Sequence, residues 1–430
     1  MDDVIEGEIA DLAFGGQGIL RHAGFVIFVP YAAPGDKVSC RITKLKKNYA
    51  EAEILTVLKK SPFRAIPVCP YYGICGGCQL QHITYASQLD QKQKWVKESL
   101  ERIGSFKDIQ VLPTIKSEKE WAYRRHVQLT LKTVERGYEV GYIGTDNRSL
   151  VQVKECSIFG PKEQKVLHHL QEVVSQLKPK DREPARVNVM KEKEQEGTYI
   201  VHFHFKELPV NAREVFANAL SHGWVGVIAG SQKESLTFGR TEAHVTIGNL
   251  KFCFASDVFM QNNPEQSVNI YRHIEKIVLE SKARYVLDLY CGIGVTSAII
   301  ASHGVEVHGM EYSHKAVKLA IRNAQQNQLS QVTFQQGAVE ALLEKSLKHK
   351  VPDVLIVNPP REGLDGRVIE SIVSFKPERL IYVSCMPATL ARDLRLLSEH
   401  YRVVECQPYD MFPQTAHIET LVVLEKVSVK

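Results

Sequence analysis

No export signal stands at the start of the chain: residues 1–6 are acidic and carry no apolar core. Long hydrophobic runs are missing as well. A bilayer span needs roughly 20 apolar residues, and the best candidate is interrupted by Asp288 and by glycines. The chain is therefore expected to be cytoplasmic, with no membrane partner. Charge of one sign is also scarce, since the net charge of +5 is mild for 430 residues and permits an acidic partner such as nucleic acid without requiring one. Nor do the nine cysteines make an even disulfide set. In a reducing compartment they stay free, so any cluster of them reads as metal-binding or catalytic. What remains is the composition of a soluble globular protein too long for one ordinary core.

Residues 1–58 alternate and turn like an all-β unit, with turn chemistry at 14–18 and 33–36. So many short strands in so few residues suggest a small barrel of the oligonucleotide-binding kind. Lys44, Lys46, Lys47 and Tyr49 gather at one hairpin, followed by Lys59, Lys60 and Arg64. Basic side chains with an aromatic among them suit a phosphate backbone and stacked bases; a basic edge that discourages strand pairing is the competing reading.

Cys69, Cys75 and Cys78 fall within ten positions rich in glycine, and Cys156 stands far downstream. Four thiolates hold either tetrahedral zinc or an iron–sulfur cluster. Three close cysteines with a distant fourth favour a [4Fe–4S] cluster, with zinc as the alternative. Residues 88–103 have helical spacing, 121–153 alternate as an antiparallel meander, and 166–177 are helical again. Arg124, Arg125, His126 and Arg148 read as ordinary surface charge. Residues 178–196 read as a charged loop, before strands at 199–205 and 225–229.

Near residue 260 the pattern changes. Residues 285–297 run from a buried strand through a glycine loop into a helix, and the following strand ends in Glu311, about 20 residues beyond the first glycine. That spacing suits a ribose diol. Ser297 stands where a dinucleotide fingerprint would place its third glycine; together with Asp288 this favours S-adenosylmethionine, which carries a ribose and no phosphate. Further strands end in Asn358-Pro359-Pro360-Arg361 and in Ser384-Cys385. Open α/β sheets bind ligands at the carboxyl ends of their strands. A helix opening after Cys385 is expected to favour its thiolate.

With these motifs, and with Phe259 to Asn263 and His417-Ile418-Glu419-Thr420, the chain resembles the bacterial RNA uridine C5-methyltransferases. It resembles specifically their branch with a TRAM domain and a four-cysteine iron–sulfur site. The resemblance covers nearly the whole chain and implies a monomer of three parts. These are a TRAM-like RNA-binding barrel (1–58), a central mixed α+β iron–sulfur domain (59–258) and a Rossmann-like methyltransferase domain (259–430). It implies S-adenosylmethionine bound by Gln261, Tyr290, Glu311 and Asn358. It further implies Cys385 as nucleophile, Glu419 as base, and a uridine of 23S ribosomal RNA as substrate. The chemistry needs both groups: a thiolate added at C6 makes C5 nucleophilic, and a base must then remove the C5 proton. Asn358 departs from the family's usual aspartate. Asn-Pro-Pro also occurs in amino methyltransferases, which need neither Cys385 nor Glu419. Transfer RNA as substrate, or a non-catalytic RNA-binding role, are the competing readings.

Overall fold

Alternating burial along residues 4–59 builds the first sheet of the computed structural model, which describes residues 4–192, 197–220 and 223–427. Its six strands pair in the order Val4–Glu8, Lys37–Leu45, Tyr49–Lys59, Phe25–Val29, Gly18–His22, Asp11–Leu12. Leu20, Val29, Val38, Cys40 and Ala50 fill the interior, while Lys46 and Lys47 stay exposed at the hairpin tip. Arg64 does not join that basic edge. Its guanidinium forks onto Asp36, which also accepts from the Ala33 and Ser61 backbone N–H groups. These bonds hold the Asp36 carboxyl below the ordinary aspartate range, although burial pushes the other way. Arg64 is thus a half-buried staple on the barrel, tied to Asp36.

A second sheet of seven strands runs in the order Ser235–Gly239, Trp224–Gly230, Tyr199–His204, Ala185–Lys191, His126–Thr133, Tyr138–Ile143, Leu150–Val151. The helices Gln164–Ser175 and Ala212–Asn218 supply Leu167, Leu170, Val174 and Phe216 to its core. The expected loop over 178–196 is corrected here, because Ala185–Lys191 is a central strand between two partners. Its charges mask an alternation in which Ala185, Val187 and Val189 point inward; residues 193–196 lie outside the described part. Arg124 and Arg125 are also not surface charge. They lie against the rings of Phe412 and Phe254 at 5.7 and 5.1 Å.

The third sheet carries the site. Five parallel strands, Val332–Gln336, Glu306–Glu311, Tyr285–Leu289, Val354–Val357 and Arg379–Ser384, continue into the antiparallel pair Glu419–Lys426 and Tyr401–Tyr409. Both faces of the parallel strands are covered, so Val354–Val357 is buried at every position. Each such side chain stabilises the fold by roughly 1.5–3 kcal/mol. The parallel strands all deliver their carboxyl ends to one edge. Helix Pro264–Glu280 lies beside it, capped by Asn263, whose side chain accepts from the Gln266 N–H. Helix Tyr85–Arg102, capped by Thr84, packs Val96 and Leu100 into this same core. Among the described residues no helix is long and apolar enough to cross a membrane.

Candidate active site

Strand Tyr285–Leu289 ends by forcing the chain round sharply. Tyr290 takes a left-handed φ of 61°, which costs a side-chain-bearing residue roughly 1–2 kcal/mol. Gly294 follows at φ 77°, where a Cβ would meet the Phe334 ring at 2.7 Å. Only glycine fits that step into helix Val295–Ala301. Ser297, at the position of the absent third glycine, turns inward and donates to the Asp288 carboxylate at 2.5 Å. Burial pushes the Asp288 carboxyl up to about 7, against the lowering effect of that bond.

Gln261, Tyr290 and Asn358 line one cleft with Asp288, Tyr271 and the glycine loop. Glu311 ends the next strand, and its carboxylate ties the glycine loop to it, accepting from the Gly292 N–H at 3.1 Å and the Ser313 N–H at 2.8 Å. Tyr271, on helix Pro264–Glu280, gives no signal in the sequence because an aromatic at helical spacing looks like core. It lines the cleft with Asp288, and burial, then the charges of Asp288 and Glu419, push its phenol upward.

Cys385 follows strand Arg379–Ser384 directly. Ser384 pairs with Thr420, the last pair of these two strands, so Cys385 follows and Glu419 precedes that pair. Glu419 is 6% exposed and its Oε2 is buried with no hydrogen-bond partner. Burial pushes its carboxyl up to about 8, while Arg361 pulls the other way. The Cys385 thiol is also raised, first by burial and then by Glu419, with Arg361 opposing both. The helix expected to favour the thiolate does follow, opening at Pro387, which has no N–H to offer; burial and the Glu419 charge act against the thiolate there. Burial, with Arg361 and Arg124 adding to it, pushes His417 down to about 4, so its imidazole is neutral at pH 7.

Away from this edge, Cys69, Cys75, Cys78 and Cys156 line one cavity of about 210 Å³, with Tyr71, Tyr142 and Arg124 on its wall. All four are free thiols. Among the described residues, no three or more His, Cys, Asp or Glu side chains are arranged to hold a single metal ion.

Two family models match. The tRNA (uracil-5-)-methyltransferase model covers residues 84–427 and the TRAM domain model residues 4–55. An uncharacterized RNA methyltransferase of Protochlamydia amoebophila is 44% identical over 98% of both chains. One of Halalkalibacterium halodurans is 34% identical over 99% of this chain and 97% of its own. Among solved structures, the Pyrococcus abyssi tRNA (uracil-54, C5)-methyltransferase in complex with S-adenosyl-L-homocysteine superposes with a TM-score of 0.75. It is 26% identical over 98% of this chain and all of that one.

Proposed function

The chain belongs to the tRNA (uracil-5-)-methyltransferase family, S-adenosylmethionine-dependent enzymes acting on RNA uracil, and from that premise we propose its finer chemistry and substrate. Cys385 is the nucleophile, Glu419 the base, and a uridine of 23S ribosomal RNA the target. One observation carries the assignment of roles: Cys385 and Glu419, whose buried Oε2 is unpartnered, flank the last pair of two neighbouring strands, Ser384 with Thr420, close enough for the Glu419 charge to act on the thiol, and Val383 of the same strand lines the cleft with Gln261, Tyr290 and Asn358.

When bound, S-adenosylmethionine supplies an electrophilic methyl group. The chain's own groups do the rest. The target base must leave its stack to reach the edge between the strands. The Cys385 thiolate adds to C6, and the electron pair moved toward O4 makes C5 nucleophilic. After C5 has taken the methyl, Glu419 removes the C5 proton, the C5–C6 double bond re-forms and the thiolate leaves. Arg361, whose guanidinium opposes the upward shift of both groups, favours the charged forms that the two steps require. Gln261, Tyr290 and Asn358 hold the donor, and Glu311 acts on it through the loop it shapes or through its ribose. Asn358 keeps a carbonyl acceptor at the cleft wall.

Ribosomal RNA is proposed because four cysteines accompany the TRAM domain, the combination carried by the ribosomal branch that the sequence resembles. Transfer RNA is the second reading, favoured by the full-length match to an enzyme whose own substrate is tRNA U54; the barrel therefore does not separate the two. Sequencing of 5-methyluridine in RNA from cells with and without the gene should show one or more 23S sites vanish. Loss from tRNA alone would give the enzyme to the second reading.

The four cysteines are proposed to hold a [4Fe–4S] cluster. What supports it is that Cys69, Cys75, Cys78 and Cys156 line one cavity, together with their spacing of three close cysteines and a distant fourth, which favours a cluster with one thiolate at each iron. Its contribution is structural, tying the 69–78 loop to Cys156. Protein purified without oxygen should absorb broadly in the visible and contain iron and sulfide. A colourless protein with stoichiometric zinc would overturn the cluster.

A further inference from the structure

Glu419 has no partner on Oε2, so its aim depends on the backbone that delivers it. That backbone is the loop 410–418 between the two antiparallel strands, and it is buried along most of its length. What holds it comes from far away in the chain. Gln88 grips Gln414 twice: its amide donates to Gln414 Oε1 at 2.9 Å, and its carbonyl accepts from the Gln414 N–H at 2.9 Å. The side chain and backbone of Gln414 are thereby fixed together, at a left-handed φ of 69°, a conformation that persists only where the surroundings over-determine it.

Nearer to Glu419, the N–H groups of Gln79 and Leu80 both donate to the Gln414 carbonyl. The Gln79 side chain then bridges, accepting from the Ala416 N–H at 3.2 Å and donating to the Gly76 carbonyl at 2.8 Å. Lys92, one helical turn beyond Gln88 and fully buried, closes the far end on Asp410 Oδ1 at 2.5 Å and the Phe412 carbonyl at 3.1 Å. Tyr123, Asn263 and Gln266 also donate to carbonyls of the loop, and a loop held by side chains outside the catalytic sheet can be moved by changing them. Displacement of a reacting group by about 1 Å costs on the order of 100-fold in rate.

We infer that Gln79 and Gln88 are positioning residues for proton abstraction: by clamping the 410–418 loop they hold the Glu419 carboxylate at C5 of the bound uracil. The inference rests on the reading of Glu419 as base. Cys385 follows the neighbouring strand, outside the clamp, so thiolate addition and methyl transfer do not depend on it in the same way. Gln79 also directly follows Cys78, which places the four-thiol cavity one residue from the seat of the base.

The test incubates full-length enzyme with uridine RNA and S-adenosylmethionine, and measures kcat, KM and covalent RNA–protein complex that survives denaturation. Gln79→Leu removes the acceptor for the Ala416 N–H and should lower kcat by about 10–100-fold, leave KM for RNA unchanged, and accumulate methylated complex. Gln79→Glu keeps the acceptor for the Ala416 N–H but loses the donor to the Gly76 carbonyl, and should recover part of the lost turnover. Gln88→Asn, which keeps the amide but withdraws it, should act in the same direction as Gln79→Leu and serves if that variant does not fold. A fall in kcat with no complex accumulating, or a change confined to KM, would overturn the inference. Glu419→Gln is run alongside: if it too accumulates no complex, the base assignment itself fails, a result distinct from failure of the clamp alone.

Discussion

Cys385→Ala should turn over no uridine, with a fall in kcat of at least about 10⁴-fold, as when a covalent nucleophile is removed. The size follows from the order of events. Uracil C5 does not displace a sulfonium methyl at a useful rate until C6 has been attacked, so removing the sulfur removes the activated form of the substrate and not one contribution among several. RNA carrying 5-fluorouridine at the target isolates this step. Fluorine replaces the hydrogen that Glu419 must take, so the wild type should stop as an adduct that survives denaturation. Cys385→Ala should give none. Cys385 is only partly buried, and truncation to alanine leaves the strand Arg379–Ser384 and its pairing with Glu419–Lys426 in place; loss of the adduct in a folded variant is therefore chemical. An adduct that persists in Cys385→Ala would show that another nucleophile does the work.

Much of this site is legible in the amino-acid sequence, for reasons that differ by residue. Tyr290, Glu311, Asn358 and Cys385 each sit at or just past the end of an apolar run, and a parallel sheet brings such ends to one edge whatever its side chains do elsewhere. Strand order and partner faces are long-range properties, so what depends on them is harder to read. The pattern at 185–191 is hidden by flanking charge, and only pairing with Tyr199–His204 and His126–Thr133 makes it a strand. Arg64, Arg124 and Arg125 look like surface residues because a basic side chain carries no sign of the acid or ring it will meet. The Cys385 thiol misleads for the same reason. The helix beyond it is visible, but the carboxylate whose charge acts on it arrives from 34 residues downstream. Gln79, Gln88 and Lys92 give no signal at all: glutamines and a lysine in polar surroundings read as solvated until a buried loop needs their hydrogen bonds.

Glu419→Gln should separate the two halves of the reaction. Glutamine keeps the shape of the side chain but cannot accept the C5 proton, so addition and one methyl transfer proceed while release stops. Turnover should fall by roughly 10²–10⁴-fold, and covalent, methylated RNA–protein complex should accumulate on ordinary uridine RNA. Normal turnover would remove Glu419 from the mechanism. The wild type's pH dependence follows from the same carboxyl. Burial raises it to about 8, and the base works only when ionised, so kcat should climb as pH rises through 8. The thiol, raised above its ordinary value of 9.0, adds to the same limb, and a rate that falls across this range would contradict the assignment. Stability runs the opposite way. With its folded pKa above the unfolded value, Glu419 favours the fold while protonated; that contribution is full below the ordinary 4.5 and is lost as pH rises to about 8. Glu419→Gln carries no such charge. Its melting temperature should match that of the wild type near pH 4, exceed it at pH 9, and diverge between the ordinary 4.5 and about 8.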